Sequence, residues 1–151
     1  MNKGEQTQWA ATYLVAAELT RRGYRVGWPM GNAPVKDLLV ESPQREHFEV
    51  DVKGGSYKAS VKSYWHLVQK GRVQGQGSPS LFFIFVRVDP SLNMPADFYI
   101  LSHSELIELH DHVKSTTPPV SSKGVPYKEF TPGFRPVDLA GYKENWDALP
   151  R

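Results

Sequence analysis

At 151 residues, 40% hydrophobic and 23% charged, the chain is long enough for one buried core and too apolar to stay disordered as a whole. Its net charge of +2 is compatible with a nucleic-acid partner but far from polybasic, and the lack of cysteine excludes disulfides, thiolate metal sites and cysteine nucleophiles. No run approaches the ~18 apolar residues of a membrane span, and the N-terminus lacks the basic-then-apolar layout of a signal peptide, so a cytoplasmic protein with no membrane partner is expected.

In chain order, residues 7–22 read as a helix. Trp9, Tyr13, Ala16 or Ala17, and Leu19 or Thr20 recur at helical spacing, and Arg21-Arg22 suits a C-terminus before Gly23. "GYRVGWP" is a short first strand stopped by Pro29, and "MGNAP" is a loop. "VKDLLVES" and "HFEVDVKG" follow as strands joined by the short polar "SPQRE", which favours antiparallel pairing. "SYKASVKSYWHLVQKGR" begins as a strand and is expected to end as a helix over residues 64–70; "VQGQGSPS" is a loop. "LFFIFVRV" is a near-continuous apolar run of the kind found in a sheet covered on both faces. "DFYILS" is a further strand, and "HSELIELHDHVK" a helix with a Ser cap and Leu106, Leu109 and Val113 on one face. The tail, residues 115–151, is irregular, and Phe130, Phe134, Leu139 and Trp146 are expected to anchor it to a single domain spanning 1–151, against the competing reading of a disordered tail. The sum is a mixed α/β domain.

Strand alternation places Phe48, Val50 and Val52 on one face of "HFEVDVK" and Glu49, Asp51 and Lys53 on the other. In the preceding strand Asp37 shares a face with Leu39 and Glu41, so pairing of the two strands can bring Asp37 beside Asp51; the register is not visible in the sequence. Two converging carboxylates repel unless a cation lies between them or one protonates. Mg²⁺ resolves that conflict with oxygen ligands and readily adds a phosphate oxygen, while Lys53 can orient water and stabilise developing charge. Those parts suit metal-assisted hydrolysis of phosphodiesters. The bland alternatives are a solvated Asp-x-Lys strand and an Asp37 that merely starts one.

Asp, a short connection, then Asp-x-Lys on the next strand, after a helix carrying a glutamate, resembles the PD-(D/E)XK nuclease superfamily. The quoted matches are "GEQTQWAATYLVAAELTRRGYRVGWP", "NAPVKDLL" and "EVDVKGG". The resemblance implies a restriction-endonuclease-like fold, with a central mixed β-sheet flanked by helices. It implies a Mg²⁺-dependent endonuclease or exonuclease, with Mn²⁺ able to substitute. Asp37 and Asp51 take the positions of the two motif acids and Lys53 that of the motif lysine. The Val52 carbonyl is a further metal ligand, Glu5 matches the helix glutamate that assists at the metal in some members, and Gln8 can hold substrate or water. Lys36 stands where the motif has proline, and Asp51 replaces the commoner glutamate. The partner implied is nucleic acid, DNA favoured over RNA, with a homodimer as the form that would cut both strands. A non-catalytic nucleic-acid- or protein-binding module on the same fold is the alternative.

Downstream, Lys58, Lys62, Lys70 and Arg72 could meet phosphates, although a solvated basic face explains them equally well, and Trp65 could stack on a strand of nucleic acid, although a division of Tyr64, Trp65 and Leu67 between core and surface is the favoured reading. His110 and His112 do not share a helix face, so a zinc site is not expected there, and His103, His110 and His112 are read as surface residues. "GQGSPS" lacks the Lys-Ser/Thr ending of a phosphate-binding loop.

Overall fold

The structure, a computed structural model, describes residues 1–30, 36–57, 65–66, 79–116, 120, 123–124 and 133–151. Helix α1 (Lys3–Arg21) starts four residues earlier than its apolar spacing suggests. The cause is a reciprocal cap: Asn2 Oδ1 accepts from the Glu5 N–H, and Glu5 Oε2 accepts from the Asn2 N–H, each at 2.9 Å. The helix ends where Gly23 turns the chain at a φ of 91°, in the left-handed region that suits glycine.

Among the described residues five strands then form one sheet: β1 (Arg25–Gly27), β2 (Leu38–Glu41), β3 (His47–Ser56), β5 (Leu81–Val88) and β6 (Asp97–Ser102), in the spatial order β1-β2-β3-β5-β6. Only β3 and β5 run parallel; the other neighbours are antiparallel, which makes the sheet mixed. Strand β4 (Trp65–His66) pairs instead with β7 (Gly133–Phe134) from the tail. Helix α2 (His103–Thr116) follows β6 through a second reciprocal cap, in which Glu105 Oε2 accepts from the Ser102 N–H at 2.8 Å and Ser102 Oγ accepts from the Glu105 N–H.

The two helices among the described residues cover opposite faces. The core on the α1 side holds Val50 and Val52 of β3, Phe82, Ile84 and Val86 of β5, and Phe98 and Ile100 of β6, with Trp146 and Leu149 of the tail. The core on the α2 side holds Leu81, Phe83 and Phe85 of β5 and Tyr99 and Leu101 of β6, with Trp65, Phe134 and Leu139. Strand β5 is apolar from Leu81 to Val86 because it has a core on each side, and Arg87 beyond them pairs with Asp97. The β2–β3 hairpin is antiparallel as its short connection implies, and the described tail anchors Phe134, Leu139 and Trp146 are buried; Phe130 lies outside the described residues.

Three expectations need correction. Helix α1 buries Ala11, Thr12, Val15 and Leu19, whereas Trp9 and Tyr13 are exposed. A small residue must face the sheet here, because a Cβ on Gly54 would come within 2.9 Å of the Ala11 Cβ and of the Thr7 carbonyl oxygen. Trp65 and His66 form a strand rather than part of a helix, since the returning tail supplies the partner at Gly133 and Phe134. His103 and His110 are buried, not surface residues; His103 stacks on Phe83, and only His112 of the three is exposed. No helix among the described residues is long and apolar enough to cross a membrane.

Candidate active site

Strand β2 begins at Leu38, which pairs with Val50, so among the described residues β3 runs on past its neighbour with no strand partner on that edge from residue 52. Two side chains continue the ladder there. Asp37 donates its own N–H to the Val50 carbonyl at 2.9 Å, and its Oδ2 accepts from the Val52 N–H at 2.7 Å. Gln8, reaching across from α1, donates Nε2–H to the Val52 carbonyl at 2.8 Å and accepts the Gly54 N–H at Oε1 at 2.9 Å. Thr7 and Ser56 hydroxyls meet at 3.1 Å one step further along. Thus Asp37 and the first turns of α1 do for β3 what a longer β2 would otherwise do, and no edge amide is left unbonded at Val52 or Gly54.

Continuing the register by one residue from Leu38 and Val50 sets Asp37 opposite Asp51, where directly opposed residues share a face. That face is the one away from α1, because Val50 and Val52 point into the α1 core. Asp51 is buried, and Lys53 Nζ lies 2.5 Å from its Oδ1. On the other side of Asp51 and Lys53 stand Phe83 and Phe85, their register partners on β5, both buried in the α2 core. The arrangement is an acidic pair with a lysine, backed by an aromatic wall.

Burial raises the Asp37 carboxyl above its ordinary pKa, and the Val52 N–H and the Lys53 charge offset that only in part. A second ion pair, Lys36 with Glu49, lies one step along: Glu49 shares the β3 face of Asp51, and Leu39 is its partner on β2. Neither Glu49 nor the aromatic wall was singled out from sequence, although Glu49 falls on the same alternating set as Asp51 and Lys53.

The structure brings together Asp37, Asp51, Lys53 and the Val52 backbone. It does not bring Glu5 to them. The exposed Glu5 carboxylate is engaged with the Asn2 N–H and forms no metal-holding group with the two aspartates. Among the described residues no three His, Asp or Glu side chains gather closely enough to hold a metal ion. Gln8 holds β3 with both ends of its amide rather than presenting them to substrate or water. Trp65 presents no free face for stacking: it is buried against Phe85 and Tyr99, with its indole N–H donated to the Val86 carbonyl at 3.3 Å. Lys58, Lys62, Lys70 and Arg72 lie outside the described residues.

The remaining donor set fits a hard divalent cation. Asp37 and Asp51 offer carboxylate oxygens, and the Val52 carbonyl has a second lone pair beyond the one that Gln8 uses. A half-buried carboxylate whose charge is only partly compensated is stabilised by a cation beside it, which is the electrostatic state of Asp37.

No known protein-family model matches the chain, and no curated protein does. Among solved structures, a bacterial homing endonuclease, I-Ssp6803I, is similar with a TM-score of 0.58 at 16% sequence identity, over 97% of this chain and 91% of that one. At that identity the likeness establishes a shared fold. The α/β class expected from sequence, a five-stranded mixed sheet between helices, stands on the topology and on this neighbour together.

Proposed function

We propose that the chain is a metal-dependent nuclease of the PD-(D/E)XK kind, hydrolysing phosphodiester bonds in nucleic acid, with DNA favoured over RNA. The observation that supports it best is the single constellation of Asp37 opposite Asp51 with Lys53 on one sheet face, on a fold shared with an endonuclease. Asp37, Asp51 and the Val52 carbonyl would hold Mg²⁺, or Mn²⁺ in its place. When bound, the ion supplies charge neutralisation for the acidic pair and polarisation of a phosphate oxygen.

The chain's own residues do the rest. Asp37 is fixed by its bond to the Val52 N–H, so its carboxylate is oriented before substrate arrives. Lys53, partly exposed beside Asp51, can give up its ion pair to hold the attacking water or a non-bridging phosphate oxygen. The water oxygen forms the new bond to phosphorus, the bond to the leaving oxygen breaks, and the water's proton passes to solvent or to the leaving oxygen. Phe83 and Phe85 keep one side of the site dry, which strengthens each of these electrostatic contacts.

A second reading has its own support. The 2.5 Å Lys53–Asp51 pair neutralises both groups, and a non-catalytic binding module would keep it closed. One experiment separates the two: a panel of labelled plasmid, linear duplex, single strand, four-way junction and RNA is incubated with Mn²⁺ or EDTA, for wild type, Asp51→Ala and Lys53→Ala. Metal-dependent cutting that both substitutions abolish supports the nuclease. Binding without cutting, unchanged by Lys53→Ala, refutes it in favour of the module.

A further inference from the structure

The sheet face that carries Asp37 and Asp51 continues away from α2 into a trough of about 580 Å³ across β1, β2 and β3. Its floor is the pair Gly27 and Leu39. Gly27 adds no side chain, and a Cβ there would meet only the Leu39 carbonyl oxygen at 3.7 Å, so the Leu39 side chain lies open and 42% exposed. The rim is polar: Arg25 reaches Glu41 at 3.3 Å, and His47 Nε2 stands 3.4 Å from the other Glu41 oxygen. Both outer groups keep most of their surface in solvent, whereas Glu41 between them is largely covered. Glu49 closes the end towards Asp51. Leu39 follows Asp37 by two residues on the same strand face, which puts the floor about 7 Å from the acidic pair.

The charges decide what this trough can take. The acids Glu41 and Glu49 are matched by Arg25 and Lys36, so the trough offers a phosphate no excess of positive charge and is not an anion cradle. A flat, neutral heteroaromatic ring meets what it needs there: an apolar floor under its face and both a donor and an acceptor at its edge. We propose that the trough receives the nucleobase of a nucleotide flanking the phosphodiester presented to Asp37 and Asp51, an inference that rests on the nuclease reading. Arg25 donates to ring or carbonyl acceptors of the base, and Glu41 accepts from an exocyclic amino group. A base stacked and paired within a duplex cannot lay its face on Leu39. The substrate class is therefore nucleic acid with an unpaired or extruded nucleotide beside the cut.

The test is a titration that needs no cutting. Oligonucleotides carrying the fluorescent base 2-aminopurine, either unpaired at a bulge or paired in a full duplex, are titrated into protein bearing Asp51→Asn. The bulged probe should bind about tenfold more tightly than the duplex, with a change in its emission. Adding Arg25→Ala, or separately Leu39→Glu, should erase that preference; both positions are exposed, and an unchanged melting temperature checks that the fold survives. Equal binding of the two probes, or a preference that outlasts both substitutions, overturns the base site. Failure of the nuclease reading has a different signature, wild type that cuts nothing with Mn²⁺, and leaves this titration readable.

Discussion

Replacing Gln8 with alanine removes both hydrogen bonds by which α1 holds the edge of β3, at the Val52 carbonyl and the Gly54 N–H. Each bond is neutral and part-buried, and such a bond contributes about 0.5–1.5 kcal/mol net. Losing the pair should therefore cost about 2 kcal/mol. In a chain of 151 residues that lowers the melting temperature by roughly 4–8 °C. Thermal unfolding followed by circular dichroism measures it, and hydrogen exchange at the Gly54 amide localises it: that proton should exchange faster while amides of β5 stay protected. Gln8→Glu should fall on the same side, since one carboxylate oxygen would then face the Val52 carbonyl with no proton between them. The reasoning is refuted by a melting temperature within a degree of wild type and a Gly54 amide that keeps its protection. Loss of cleavage without loss of stability would return Gln8 to the role of a substrate contact.

Gly54→Ala should destabilise by about 1–3 kcal/mol, read as a lower denaturant midpoint, because the new Cβ meets the Thr7 carbonyl oxygen and the Ala11 Cβ at 2.9 Å and backbone must move. Asp37→Asn should abolish cleavage yet raise the melting temperature of the metal-free protein at neutral pH. Asp37 has its folded pKa raised, so the stability linked to its protonation is fully present below the ordinary carboxylate pKa and is lost as pH rises through the folded value. The gap between variant and wild type should accordingly close on acidification; a gap independent of pH would sink the argument. Trp65→Phe should lower the melting temperature through loss of the indole bond to Val86, by about 1–2 kcal/mol, and leave nucleic-acid affinity of the folded protein unchanged in a direct titration.

Much of the sheet is legible in the chain because strand alternation is local. The period-two pattern of His47 to Lys53 put Val50 and Val52 on one face and Asp51 and Lys53 on the other without any knowledge of neighbours, and that is how they lie. The antiparallel β2–β3 pair followed from a connection too short for a crossover. The helix face was misread for the converse reason. Periodicity finds an apolar stripe but says nothing of how closely the helix approaches, and α1 approaches so closely over Gly54 that Ala11 faces the sheet while Trp9 and Tyr13 are turned out.

Glu5 shows where pattern ends. Its order in the chain matched a helix glutamate at a metal, but order does not say what a carboxylate bonds, and here it closes the helix cap. The register that sets Asp37 against Asp51 is likewise a property of paired strands, and Gln8 could be recognised as an edge clamp only once β2 was seen to stop at Leu38. By itself the sequence determined which residues alternate, which segments are apolar enough to be buried, and which acids stand near a lysine. The tertiary structure alone decided which of them meet, because distance between strands and the face a helix covers arise from long-range packing that no local period encodes.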